Sequence, residues 1–283
     1  MSKGPILVTG GAGFIGSHVC EALLGQGRSV RCFDNLATGK RANVEHLQAD
    51  PHFAFVEGDL RSMDDVRNAL AGAAAVVHLG ALGSVPRSIA DPLATEAVNL
   101  TGFVHLLEAA RAAGVKRIVY ASSSSVYGDS TELPKREGTE GRALSPYAVT
   151  KAMDEAYAHL YHRMHGMELV GLRFFNVFGE RQDPKGPYAA AIPKFIRSLL
   201  RHEAPTVNGD GRQTRDFTYV GNAVQAVLCG LKADGAALGR VRGPDRYGDE
   251  REAEGRLLAH PGNCGLGTGG DIRRRPERGH RGP

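Results

Sequence analysis

Residues 6–16 read ILVTGGAGFIG, an apolar run of four followed by glycines three apart at Gly10, Gly13 and Gly16. The run has the length of a buried strand, and the segment from 14 to 25 carries apolar residues at helical spacing. Strand, glycine turn and helix start, in that order, make a cradle for a pyrophosphate. Glycine lets the backbone turn tightly and approach closely, while the first helical turn offers N–H donors and the positive end of the helix dipole. The spacing is GxxGxxG rather than the commoner GxGxxG, and by itself it describes only a turn. Asp34 adds to it, because it follows the second apolar run where a ribose-binding acid belongs. A carboxylate there accepts from ribose hydroxyls and repels a 2′-phosphate, so the expected cofactor is NAD. The plainer reading of Asp34 is a helix cap beside Asn35. Asp59, in EGDL (57–60), ends a further run and is placed to neighbour an adenine.

Outward from this stretch, short apolar runs alternate with longer amphipathic ones. ILVT (6–9), SVRCF (29–33), HFAFVE (52–57), AAVVHL (74–79), RIVYA (117–121) and LVGLRFF (169–175) read as strands, and 14–25, 62–70, 92–113 and 146–165 as helices. Such alternation predicts an α/β fold: a doubly wound, mainly parallel sheet of the Rossmann type with helices on both faces. Residues 1–175 form the expected dinucleotide-binding domain. Residues 176–240 are richer in loops, with a helix at 189–201, and read as a small, incomplete substrate-binding region with a return helix to the first domain.

Composition narrows the classes. Of 283 residues, 42% are hydrophobic and 23% charged, ordinary for a globular protein, and a formal charge of +4 is too small to suggest nucleic acid as a partner. Cys20, Cys32, Cys229 and Cys264 lie far apart, without metal-ligand or disulfide-framework spacing. No run approaches the roughly 18 apolar residues of a membrane span, and the start lacks a leader pattern. The expectation is a cytoplasmic protein with no metal and no membrane partner. Residues 241–283 differ in kind, with ten glycines, nine arginines, four prolines and no lysine. They hold too little apolar surface to offset chain entropy, so disorder is expected. Seven acidic residues offset the arginines, which weakens the reading as a basic binding tail.

The remaining chemistry lies after the fifth strand. ASSSSVYG (121–128) places four serines and no carboxylate at a strand end, and SPYAVTK (145–151) places Tyr147 and Lys151 one helical turn apart behind Ser145 and Pro146. A free tyrosine, with a pKa near 10, is a poor base at neutral pH. A neighbouring ammonium and an oxidised nicotinamide both favour the phenolate. Tyr and Lys at this spacing are common by chance; after a dinucleotide cradle and a serine-bearing strand end they become informative.

Together, the Gly10–Gly13–Gly16 turn, Asp34–Asn35, SSSSVYG and Tyr147-x-x-x-Lys151 resemble the extended short-chain dehydrogenase/reductase superfamily. The chain is most similar there to nucleotide-sugar epimerases, particularly bacterial UDP-N-acetylglucosamine 4-epimerases. LGSVPRSIADP (82–92), LRFFNVFGERQDPKGPYAAAIPKF (172–195) and VNGDGRQTRDFTYV (207–220) carry the closer likeness, which runs from residue 5 to about 240. The resemblance implies a retained NAD, a UDP-sugar substrate, a homodimer formed through helices 92–113 and 146–165, and epimerisation at C4 through a 4-keto sugar. It implies Tyr147 as base, Lys151 as ribose ligand and charge partner, and Ser123, four residues before Tyr127, as the group that holds the reacting hydroxyl. It assigns Phe14, Ile15, Gly39, Leu60, Leu79, Ala81, Asn99 and Phe174 to the cofactor, beside the glycines, Asp34, Asn35 and Asp59. It places Asn176 and Arg215 on the diphosphate, and Gly83, Ser84, Ser124, Ala189, Val207 and Asn208 around the sugar and uridine.

Related dehydratases and decarboxylases carry a glutamate, often beside an aspartate, where this chain has Ser124 and Ser125. Elimination needs an acid and a base at those positions. Serines imply a site that oxidises and re-reduces only. Ser122 and Ser125 individually read as structural, capping backbone groups. The alternatives are a dehydratase, decarboxylase or reductase on the same scaffold, or an inactive NAD-binding remnant. Past residue 240 the family pattern breaks into an Arg/Gly-rich, lysine-free stretch like a GC-rich coding region read out of frame, so a truncated or frame-shifted epimerase is expected.

Overall fold

The computed structural model describes residues 4–184, 190–205, 207 and 215–233. The tail from 241 lies outside them. Strand β1 (Ile6–Thr9) shows why the runs are continuously apolar. Ile6 and Val8 pack into one core with Val19, Cys20 and Leu23, while Leu7 enters another with Phe103, Leu106 and Ile118. Alternate side chains reach opposite faces, so a strand covered on both sides needs apolar residues throughout. Six parallel strands, β1, β2 (Val30–Asp34), β3 (Phe53–Glu57), β4 (Ala75–His78), β5 (Arg117–Ser123) and β6 (Glu168–Phe174), lie in the order β3-β2-β1-β4-β5-β6. One face carries α1 (Phe14–Gly25) and α8 (Val220–Lys232), and the other α2 (Met63–Leu70), α5 (Gly102–Ala112) and α6 (Pro146–His165). The strand order reverses between β1 and β4, which opens a crevice at their carboxyl ends.

Two expectations need correction. The fifth strand runs to Ser123, not Ala121, because Ser122 and Ser123 continue the ladder opposite Arg173 and Phe174 of β6. Residues 92–113 are not one α-helix but α4 (Pro92–Glu96), a π turn (Ala97–Thr101) and α5, preceded by a short α3 (Val85–Ala90). The π turn centres on the buried Asn99, whose Oδ1 accepts from Leu82 N at 2.7 Å and whose Nδ2 donates to Thr150 Oγ1 at 3.2 Å. A widened turn of this kind lets one side chain satisfy a loop and a helix together.

Beyond β6, β7 (Val177–Phe178) pairs in parallel with β8 (Thr218–Tyr219), and α7 (Ala191–Leu200) lies between them in sequence. α8 then returns to the sheet. Arg117 holds its end, donating from Nη1 to the carbonyls of Gly230, Leu231 and Ala233, while Glu168 pairs with its Nη2 at 2.7 Å. A cation at a helix C-terminus satisfies carbonyls that the helix itself leaves open. Among the described residues no helix is long and apolar enough to cross a membrane.

Candidate active site

A cleft of about 670 Å³ opens at the carboxyl ends of β1, β4 and β5. At one end lies the glycine turn. Gly10 has φ +65°, and a Cβ on it would stand 2.7 Å from Gly80 N; a Cβ on Gly16 would stand 2.1 Å from Gly10 O. Both clashes are with backbone, which cannot yield, so only glycine draws α1 this close to the turn. Gly13 is the N-cap of α1 and makes no side-chain cap, and Gly13, Phe14, Ile15 and Gly16 line the cleft. The positive end of the helix therefore faces the space where a pyrophosphate would lie.

Asp34 does not cap a helix. Its Oδ2 accepts from Ala12 N at 3.0 Å and its Oδ1 from Leu36 N at 2.8 Å, bracing the glycine turn against the loop after β2, where Gly39 packs on the carboxylate. Burial pushes its carboxyl above the ordinary value, and the two N–H donors work against that. Asp59 accepts from Asn35 Nδ2 at 3.0 Å and is gripped by Arg61, whose hydrogen bonds hold its carboxyl well below the usual range. A crowded glycine cradle, an uncapped helix start and a carboxylate with spare lone pairs suit a dinucleotide with free ribose hydroxyls.

The reactive end is built on β5 and α6. Ser123 Oγ accepts from Ser125 N at 3.1 Å and Ser125 Oγ at 3.0 Å, leaving its own proton to be donated elsewhere. The expectation that Ser122 and Ser125 cap backbone groups is overturned. Ser123 is the cap, Ser125 donates to Ser123, and Ser122 donates to Glu155. Ser145 starts α6 by accepting from Ala148 N at 3.1 Å, with Pro146 next, so Tyr147 sits in the first turn and Lys151 in the second. Lys151 is 2% exposed, and its Nζ donates to Ala121 O and Asp154 Oδ2, each at 3.0 Å.

Arg173 ties these parts together. It donates to both Glu155 oxygens at 2.9 and 2.7 Å, pairs with Glu140 in the loop before α6, and lies 4.8 Å above the Tyr127 ring. One guanidinium thus links β6, α6, the loop and the turn after Ser123. Its planar set of donors suits such bridging.

Most of the residues expected from the sequence share this one cleft. Gly10, Gly13, Phe14, Ile15, Gly16, Asp34, Asn35, Asp59, Leu60, Leu79 and Ala81 line its nucleotide end, and Gly83, Ser123, Ser124, Tyr147, Lys151, Phe174 and Asn176 line the rest. Asn99 stands behind the lining, bonded to Leu82 and Thr150. Ser84 Oγ accepts from Arg87 N at the start of α3. Asn176 has φ +34° and donates from Nδ2 to Asp216 O at 2.8 Å. Val207 and Arg215 are exposed and not part of the lining, and Ala189 and Asn208 lie outside the described residues. Arg61, Gly80, Leu82 and Val85 also line the cleft and were not anticipated, although Gly80 lies just past the end of β4 as Gly10 does past β1.

This strand order, with a glycine cradle at β1 and Tyr-x-x-x-Lys below a serine strand end, defines an extended short-chain dehydrogenase/reductase. Residues 6–241 match the NAD dependent epimerase/dehydratase family, and the chain belongs to it. It is 37% identical to a UDP-glucose 4-epimerase of Mycolicibacterium smegmatis over 243 residues, covering 83% of this chain and 75% of that one. A UDP-N-acetylglucosamine 4-epimerase from Methanobrevibacter ruminantium M1, in complex with UDP-N-acetylmuramic acid, superposes with a TM-score of 0.78 at 40% identity, covering 83% and 74% of the two chains. A double mutant of the dTDP-glucose 4,6-dehydratase from Streptomyces venezuelae, solved with NAD bound, gives 0.75 at 34% identity, covering 81% and 73%.

Proposed function

We propose that this chain is an NAD-dependent 4-epimerase of a UDP-hexose, with or without an N-acetyl group. One observation carries the reading. Among the described residues lining the cleft, the carboxylates are Asp34 and Asp59, both at the nucleotide end, and the end holding Tyr147 offers Ser123, Ser124 and Ser125 instead. Hydroxyls hold a sugar oxygen but do not expel one, since elimination needs a stronger acid. Likeness to UDP-sugar epimerases supports the substrate class.

NAD, when bound along the glycine turn and Asp34, supplies a hydride acceptor and then a donor at C4. Tyr147 takes the proton of the 4-hydroxyl as C4 is oxidised and returns it when the 4-keto sugar is reduced from its other face. Ser123 hydrogen-bonds the same oxygen through its free O–H, and Lys151 is the charge partner of Tyr147 in this reading. Asn176, which lines the cleft, serves the diphosphate.

The working unit in this reading is a homodimer. Val149, Met153, Leu160 and Met164 form an exposed stripe on α6, 45–65% accessible, beside Ile89 and Leu93. A long apolar stripe at helical spacing suits burial against a second copy.

The likeness to a dehydratase supports a second reading, loss of water from the sugar. Incubating the protein with UDP-N-acetylglucosamine and UDP-glucose and resolving the products separates the two. A C4 epimer of the same mass is expected; loss of water or carbon dioxide would contradict the serine argument.

A further inference from the structure

Lys151 is seated by two partners. Ala121 O belongs to β5 and Asp154 to the next turn of α6, so strand and helix fix the ammonium from two directions at 3.0 Å each. An ammonium has three donors, and with two engaged inward one remains for the cleft that Lys151 lines. Asp154 is wholly buried and absent from the cleft lining, and its Oδ1 has no hydrogen-bond partner among the described residues. Buried carboxylates ordinarily satisfy both oxygens. The strong polar contact shown for this one is with the lysine.

We propose that Asp154 is a positioning residue for the reaction: it seats the Lys151 ammonium and sets how much of its positive charge reaches Tyr147. The inference rests on the reading of Tyr147 as the base and Lys151 as its charge partner. An ionised Asp154 cancels part of the ammonium's field; a neutral one releases it.

The surrounding groups leave room for this role. Burial pushes the Asp154 carboxyl up to about 6, with Lys151 opposing and Glu155, next on α6, adding to the rise. Tyr120 of β5 is fully buried and feels Asp154 and Glu155, and Arg173 of β6 is held by Glu155. His78 of β4 feels Lys151, and burial keeps it neutral. Lys151 is the cation that touches Asp154.

Asp154→Asn tests the inference, because the amide keeps an acceptor for Nζ and removes the charge. The readout is the near-ultraviolet tyrosinate signal of NAD-loaded protein that disappears in Tyr147→Phe, followed against pH without substrate, together with the acid limb of the activity profile. Removing a nearby negative charge favours the phenolate, so both should move to lower pH by roughly half a unit to one unit. Asp154→Glu, which restores a carboxylate, should lie nearer the wild type. If Asp154→Asn does not fold, Asp154→Ser is the second neutral variant, with a shift in the same direction expected. An unchanged midpoint and limb in a folded neutral variant, or a uniform loss of activity without a shift, overturns the positioning role. A wild-type protein with no Tyr147-dependent tyrosinate below the ordinary tyrosine range overturns the base reading itself, a failure visible before any Asp154 variant is made.

Discussion

In the proposed reaction the phenol oxygen of Tyr147 is the base. Tyr147→Phe keeps the ring that lines the cleft and removes the proton acceptor. Turnover is expected to fall by about 100-fold or more while NAD stays bound; activity and cofactor content measured on the same preparation check this. His78 supports a different prediction. It is fully buried, donates to or accepts from Thr9 Oγ1 at 2.7 Å, and burial, with Lys151 nearby, lowers its pKa to about 3 from 6.5. The unfolded chain therefore binds a proton that the fold excludes, and stability contributed by the neutral ring is lost as pH falls below about 6.5. His78's share of the unfolding free energy should drop by about 2 kcal/mol between about pH 7 and pH 5, against an opposite contribution from Asp154, which takes up its proton in the fold over that range. His78→Gln should therefore make the protein relatively more stable at about pH 5 than at about pH 7 in chemical denaturation. That Tyr147 and Lys151 face one cleft was legible from their spacing taken with the glycine turn and the serine-bearing strand end, and Ser123 was singled out by the family resemblance. Asp154 and Arg173 were not, since their partners, Lys151 beneath the strand and Glu155 with Glu140, meet only after α6 docks on β5 and β6.

Among the elements, the β1–α1 turn was the most readable, because backbone crowding leaves only glycine there. Gly16→Ala would set a methyl 2.1 Å from Gly10 O and push α1 off the turn. NAD affinity should fall at least about tenfold by calorimetry, with the sheet's circular dichroism retained. Helix α6 was legible at both ends, with Ser145 and Pro146 starting it and Gly166, in the left-handed conformation, stopping it. The helical stretch expected at 92–113 was right in extent, but a π turn interrupts its α geometry. Its apolar periodicity is genuine, but the π turn exists for Asn99's contacts with Leu82 and Thr150, which no local pattern encodes. The serine run was half read: its hydroxyls were recognised, but Ser122 and Ser123 belong to the strand because Arg173 and Phe174 continue the ladder beside them.

For the whole molecule, alternating runs predicted a parallel doubly wound sheet, and continuous apolarity predicted that both faces are covered. The order β3-β2-β1-β4-β5-β6 then follows from how crossovers place successive strands. Sequence periodicity cannot say whether an apolar helix face meets its own core or another molecule. Met153 and Met164 are exposed and do not enter the core formed by the described residues. Met153→Asp with Met164→Asp should convert a dimer to a monomer in analytical ultracentrifugation; a wild-type monomer would contradict the proposed assembly. The most direct measurement on the account as a whole is nuclear magnetic resonance of the sugar product after incubation with a UDP-hexose and NAD. The serine-lined cleft predicts that the two C4 epimers interconvert to one equilibrium from either side, with every carbon and oxygen retained, whereas a 4-keto-6-deoxy or decarboxylated product would contradict it.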